Sequence, residues 1–268
     1  MDSSSHDNMS FLEHLEELRW HIIRSLIAIV SAGFICFLMK DFIFDTIIFG
    51  PKKMDFPTYK FLCQAATFIG VETTFCGDEF PFIVQNRTMA GQFSAHVMTS
   101  IISGFIISFP YILYEFWKFI SPGLLEKEKA KSRGFIFISS MLFFIGVLFG
   151  YYIISPLSIN FLGTYQVSSQ VLNEIDLGSF ISLVRSSAIA SVIIFELPII
   201  IYFLTKAGVV TPESLVKYRK YALVLVLVLA AIITPPDVAS QIIVAIPIVV
   251  LYQVSIFISK IVVKNQSK

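Results

Sequence analysis

The stretch SSAIASVIIFELPIIIYFLT, residues 186–205, sets one carboxylate, Glu196, among twenty residues that carry no other charge. At about 1.5 Å per residue, a helix of that length spans the ~30 Å hydrocarbon core of a bilayer. Glu196 then lies roughly 12 Å from the nearer end of the helix. An ionised group at that depth costs at least a few kcal/mol, so it must face the bundle interior, be protonated or meet a polar partner. Pro198, two residues on, removes a backbone donor and is expected to kink the helix there.

Composition supports the membrane reading over the whole chain. Of 268 residues, 56% are hydrophobic, 27 are Phe and only 15% are charged, which excludes an ordinary soluble globular domain. A net charge of +1 carries no argument for a nucleic-acid partner. The opening residues MDSSSHDNMS lack the basic and apolar regions of a cleaved signal peptide, so the first apolar run is expected to remain as a span.

Outward from residues 186–205, the fold class predicted is all-α: a polytopic membrane protein of six transmembrane helices, with the fifth and sixth short, around a concave cavity. The chain reads as one transmembrane domain, 1–268. Ser10-x-x-Glu13 has the form of a helix capping box. Phe11, Leu15, Leu18 and Ile22 then recur at helical spacing opposite Glu13, Glu16 and Glu17, predicting an amphipathic N-terminal helix over 1–21 that lies along the membrane surface. It leads into a span at 22–39.

The connection 40–92 contains Cys63 and Cys76, which either close a disulfide on an oxidising side or stay as reduced thiols. The second apolar run, 93–120, exceeds one membrane thickness and is expected to tilt, to kink at Pro110 or to project beyond the bilayer. Its His96 reads as a satisfied polar residue, since no second His is spaced to share a metal. The loop 121–133, a third span at 134–154, the connection 155–178, a fourth span at 179–204 and the loop 205–220 follow. A fifth run at 221–233 has thirteen residues, too few for a bilayer of average thickness. The turn Thr234-Pro-Pro-Asp237 separates it from a sixth run at 238–259.

Loops 121–133 and 206–220 hold four basic residues each, whereas 155–178 and 234–237 hold none. Positive charge marks the cytoplasmic side. Both termini are therefore expected in the cytoplasm, with 40–92 and 155–178 as the first and second periplasmic loops. Arg185 sits near the outer end of the fourth span, where snorkelling accounts for it.

There is no phosphate-binding Gly-rich loop, no His-Glu-x-x-His pair and no clustered Cys/His site in the sequence, and its four histidines assemble no Ser-His-Asp set. The chain is expected not to be an enzyme and to need no cofactor or metal. Acids Glu16, Glu17, Glu126 and Glu128 fall on an otherwise basic face. They either pair locally with Arg19, Lys127 or Lys129, or receive the forked donors of a partner's arginine; the residue pattern leaves both open.

Five strings occur in order: FLEHLEELR at 11–19, GP at 50–51, FPYILYEFWKFISPGL at 109–124 followed by EKE, FELP at 195–198, and TPPDVASQ at 234–241 with AIP at 245–247. By these the chain resembles, over nearly its whole length, the TatC family, the multispanning component of the twin-arginine protein translocase. The resemblance implies that Glu17 and Glu128 receive the paired arginines of a signal peptide, with His14, Leu18, Arg19, Phe119 and Pro122 on the same surface. It implies that Glu196 meets a polar residue of a TatA-type or TatB-type single-span subunit, and that Asp237 and Gln241 serve assembly with those partners. Pro51 matches a structural proline, and Cys63 and Cys76 are assigned a structural role. Two positions depart from the family pattern: His21 stands where many relatives carry a basic residue, and Gln253 where an acid is common.

The function expected is that of a receptor in the bacterial inner membrane. It binds twin-arginine signal peptides of folded proteins, recruits TatA/TatB-type subunits, self-associates in a receptor complex and draws on the proton motive force. The competing readings are a proton-coupled small-solute transporter with Glu196 as carrier, against which stands the lack of an internal repeat, and a passive membrane scaffold.

Overall fold

A computed structural model of the protein describes residues 11–70, 74–77, 79–120, 132–168, 170–234 and 238–266. The described residues fall into two compact units, one within 1–40 and 96–140, the other within 41–95 and 141–268.

The first unit is built on two long helices, α1 (Phe11–Leu38) and α3 (Gly91–Ile120). Each is continuous. No proline or glycine interrupts α1 before Gly33, so the segment expected to lie along the membrane surface is collinear with the first span. Leu15 and Ile22, on its apolar stripe, are exposed, whereas Glu17 and His21 on the other side are half-buried. The side of α1 that carries Glu17, Leu18 and His21 is the half-buried one, while Glu16, Arg19 and Arg24 stay exposed. A polar group turned inward must find a partner there, because hydrocarbon solvates Leu as well as a protein interior does and solvates Glu far worse.

Small residues bring the two helices together. A Cβ on Gly104 would lie 2.5 Å from the Gly33 nitrogen and 2.6 Å from the Ile29 carbonyl oxygen, so only glycine permits this approach. Beside it, Ser108 Oγ donates to the Ala28 carbonyl at 2.9 Å. His96 has the satisfied role expected of it: Nε2 lies 3.0 Å from the Phe37 carbonyl oxygen, and its ring stacks on that of Phe37 with centroids 4.0 Å apart. α3 runs through Pro110 as one helix.

In the second unit the third span, Gly134–Thr164, is composite. α4 (Ser132–Phe149), whose first residues belong to the other unit, passes into a π-helical turn, Gly150–Ile154, and then α5, Ser155–Thr164. The helix thus continues ten residues beyond the apolar run that the sequence marks. Pro156 explains the π-helical turn. It has no N–H to offer the carbonyl four residues back, that of Tyr152, and Thr58 Oγ1 donates to that carbonyl instead.

Thr58 belongs to α2, Pro57–Ile69, in the connection between α1 and α3. Tyr59, fully buried, donates its hydroxyl towards the carbonyls of Pro51, at 2.8 Å, and Pro156, at 3.0 Å. Burial pushes the Tyr59 phenol well above its usual range. α2 is tied again at its middle by a disulfide from Cys63 to Cys76, across 5.1 Å between Cα atoms. Two four-residue strands also occur. β1, Phe82–Gln85, pairs in parallel with β2, Asn173–Asp176, with Phe82 opposite Asn173 and Gln85 opposite Asp176. Strands this short carry no periodic signal in the sequence, and none was expected in the all-α reading.

Asp176 caps α6, Leu177–Phe195, by accepting from the amides of Gly178 and Ser179. The fourth span then breaks at Glu196 and resumes as α7, Leu197–Lys206, with Pro198 in its first turn. α8 (Pro212–Lys217) starts on a Thr211/Ser214 capping box and leads to α9, Arg219–Ile233, and α10, Val238–Gln266. Apolar side chains of the π-helical turn, α6, α9 and α10, among them Ile154, Phe195, Val226, Val244 and Ile248, form the core. Thr205 on α7 and Ser259 on α10 share a buried hydrogen bond of 2.9 Å.

Five helical segments among the described residues are long and apolar enough to cross a membrane. α9 is not among them: its 15 residues reach about 22 Å, as the short fifth run predicts. α10, with 29 residues, is longer than its apolar run, because nothing around Lys260 or Lys264 stops the helix.

Candidate functional site

α1 and α3 run antiparallel. Position 21 meets 115 and 28 meets 108, seven residues on along one helix and seven back along the other, and 33 meets 104 farther on. That register brings Glu17 level with Phe119. Of the residues expected to read a signal peptide, Glu17, Leu18 and Arg19 lie on the first turns of α1, with Glu17 and Leu18 half-buried and Arg19 exposed. Phe119, half-buried, ends α3 beside them and meets the His21 ring at 6.1 Å in an edge-on arrangement. His14 lies in α1 but its side chain is outside the described residues, as are Pro122 and Glu128 altogether.

The local-pairing alternative for the acids is resolved in part. Among the described residues, Glu17 makes no ion pair or hydrogen bond, and Arg19, two positions on, pairs with neither Glu16 nor Glu17. Glu17 and Arg19, two apart, point to different sides of the helix, and Glu16 and Arg19, three apart, are both exposed. Lys127 and Lys129 lie outside the described residues.

Sequence reasoning missed the most strongly built polar group in this unit. Glu115 is 3% exposed, and its Oε2 lies 2.6 Å from Nδ1 of His21 and 3.8 Å from a guanidinium nitrogen of Arg24. Tyr111, one turn earlier on the same face of α3, is a further polar neighbour of the carboxyl. The His21–Glu115 pair shares one proton: the imidazole N–H donates to an ionised carboxyl, or a carboxyl O–H donates to the bare ring nitrogen. The signal was available: an acid five residues inside the end of a long apolar helix needs a partner as much as Glu196 does. His21 and Arg24, three apart on α1, were the nearby candidates. His21, which departs from the family pattern, takes a specific polar role.

The remaining predicted site residues belong to the second unit. Glu196 is half-buried at the break between α6 and α7, and its carbonyl accepts from the amides of Ile199 and Ile200, both at 3.0 Å. The residues before it, Ile194 and Phe195, are locked into the core against α9 and α10. Gln241 on α10 donates to the Leu227 carbonyl of α9 at 3.1 Å. Asp237 lies outside the described residues. Pro51 is buried in a 3-10 turn, Gly50–Lys52, and its carbonyl takes the Tyr59 hydroxyl. Among the described residues no group of three or more His, Cys, Asp or Glu side chains is placed to hold a metal.

Long apolar helices packed through glycine and serine, with ionisable groups paired inside them, define a multi-pass helical membrane protein. Comparison with known proteins makes this specific. Residues 13–247 match the family profile described as Sec-independent protein translocase protein (TatC). The chain is 46% identical over 261 residues to the TatC of Blattabacterium sp. subsp. Periplaneta americana (strain BPLAN), covering 97% of this chain and 98% of that one. It is 35% identical over 263 residues to the TatC of Aquifex aeolicus (strain VF5), with the same coverage of each. A crystal structure of the twin-arginine translocase receptor TatC aligns with a TM-score of 0.64 at 34% identity, covering 94% of this chain and 100% of that one. A second, in DDM, aligns with a TM-score of 0.67 at 35% identity, covering 92% and 99%. The chain belongs to the TatC family, and is thus a membrane-embedded component of a Sec-independent protein translocase.

Proposed function

We propose that the chain is the signal-peptide receptor of its translocase, with Glu17 and Glu128 taking the paired arginines of a folded cargo's signal peptide. The observation that carries the reading is the state of Glu17: half-buried, level with the Phe119 ring, and without an ionic partner among the described residues although Arg19 is close by in sequence. A carboxylate in that state is suited to the forked, bidentate donors of an arginine. Leu18 and Phe119 offer apolar contact beside it, and His14, Arg19 and Pro122 complete the surface.

The lysine and arginine distribution supports a cytoplasmic location for both termini. The regions 40–92 and 155–178 are then periplasmic, and the Cys63–Cys76 disulfide suits an oxidising compartment. This puts the protein in the bacterial inner membrane as a single domain spanning six times, with α9 as the short fifth crossing. Glu196, Asp237 and Gln241 are assigned to contact with TatA/TatB-type subunits. A helix break beside a membrane carboxylate supports Glu196 in that role, since it presents backbone and side-chain polarity at one depth. Self-association, and transport driven by the proton motive force, complete the proposal.

The test is binding of a twin-arginine signal peptide and its double-lysine variant to the purified full chain in lipid nanodiscs. Weakened binding with Glu17→Ala, with Glu128→Ala and with the lysine peptide is expected. Equal binding by all of these sinks the assignment.

A further inference from the structure

We propose that His21 and Glu115 are positioning residues: together they set the rotation of α1 about its axis and so aim the Glu17 carboxylate one turn away. The inference rests on the receptor reading above and adds to it two residues that make no contact with the peptide.

Glu17 and His21 are four residues apart and share one face of α1. Glu17 has no polar contact among the described residues to hold its own direction. His21, by contrast, is held from two sides, by Glu115 Oε2 at 2.6 Å and by the Phe119 ring at 6.1 Å. Glu115 is in turn buried on α3, with Tyr111 and Arg24 as its remaining polar neighbours. A rotation of α1 that swung Glu17 away from Phe119 would pull the imidazole off a buried carboxyl, which then lacks its shortest hydrogen bond. The other ties described between α1 and α3, the Ser108 bond to Ala28, the Gly33–Gly104 crossing and the His96 contact with Phe37, engage α1 two to four turns farther along the helix. They fix the approach of the helices rather than the aim of the Glu17 side chain.

The proposal is tested by a double-mutant cycle on the full chain in nanodiscs, measuring binding of a twin-arginine signal peptide and its double-lysine form. Glu115→Leu is expected to weaken twin-arginine binding about tenfold, the loss of one well-aimed buried hydrogen bond, and to lower the preference for arginine over lysine. Glu115→Gln keeps an acceptor for the imidazole and is expected to restore binding to within about twofold of the unaltered chain. In a Glu17→Ala background, Glu115→Leu should change nothing further, because it acts through Glu17. A general structural weakening would instead multiply with Glu17→Ala. His21→Leu, which leaves Glu115 with Arg24 and Tyr111, runs the same cycle should Glu115→Leu fail to fold.

Unaltered binding by both single variants, or full multiplicative loss in both double variants, overturns the positioning role while the receptor reading stands. If the unaltered chain shows no preference for arginine, or Glu17→Ala binds as well as it does, the receptor reading fails and takes this inference with it.

Discussion

Tyr59→Phe isolates one atom. The side chain is fully buried, so Phe fills the same space and leaves no cavity; what is lost is the hydroxyl that links the Pro51 carbonyl at 2.8 Å to the Pro156 carbonyl at 3.0 Å. Those two carbonyls belong to the 3-10 turn at Gly50–Lys52 and to α5, so the hydroxyl joins the α1–α3 connection to the third span. Leaving buried acceptors short of a donor costs about 1–2 kcal/mol, which at roughly 2–4 °C per kcal/mol for a chain of this size predicts a fall in Tm of about 2–8 °C. The assay is thermal unfolding of the purified full chain in detergent micelles, followed by near-UV circular dichroism. The phenol adds a pH signature. Its pKa is raised in the folded state above the ordinary 10.0, so its stabilising contribution is intact below about pH 10 and is lost as pH rises beyond it. The gap in Tm between the unaltered chain and Tyr59→Phe should therefore narrow above pH 10. An unchanged Tm for Tyr59→Phe at neutral pH would refute the bridging role and, with it, this account of what Pro51 does.

Two further predictions concern other contacts. Gly104→Leu places a branched side chain where even a Cβ would sit 2.5 Å from the Gly33 nitrogen, so α1 and α3 must separate; a loss of about 1–3 kcal/mol or more is expected. It reads out as a lower Tm and as reduced cross-linking between cysteines introduced at Ala28 and Ser108. Reducing the Cys63–Cys76 bond, with a sequence separation of 13, should lower stability by about 3 kcal/mol, seen as a drop in Tm with reductant that a Cys63→Ser, Cys76→Ser chain does not show.

The helices and their order were legible because hydrocarbon imposes a length and a composition that few alternatives satisfy. Residues 186–205 announce a span, and thirteen apolar residues before the Pro-Pro turn announce a short helix, later seen as α9. The five strings, taken together and in order, disclosed the family. Less legible was anything that depends on a partner distant in the chain. That Pro156 frees the Tyr152 carbonyl follows from the chemistry of proline; that Thr58, 94 residues away, takes it up does not. The β1–β2 pairing joins segments 91 residues apart, as Phe82 and Asn173 show, and strands of four residues have no room to display a period.

Glu196 and Glu115 mark where sequence ends and tertiary structure begins. One sequence rule, that a carboxyl inside an apolar helix needs a reason, applies to both, and for Glu196 the adjacent proline also located the helix break. The chain alone thus determined that two acids lie among apolar residues, and that the acids of α1 share one side. Only the packing of α1 against α3 decided that Glu17 and His21 turn inward while Glu16 stays exposed, with His21 and Arg24 brought to Glu115 and Glu17 brought level with Phe119. The reason is physical: helical spacing assigns a residue to a face. Which face meets protein rather than lipid depends on the partner helix that can satisfy its charges, and that partner lies some ninety residues away.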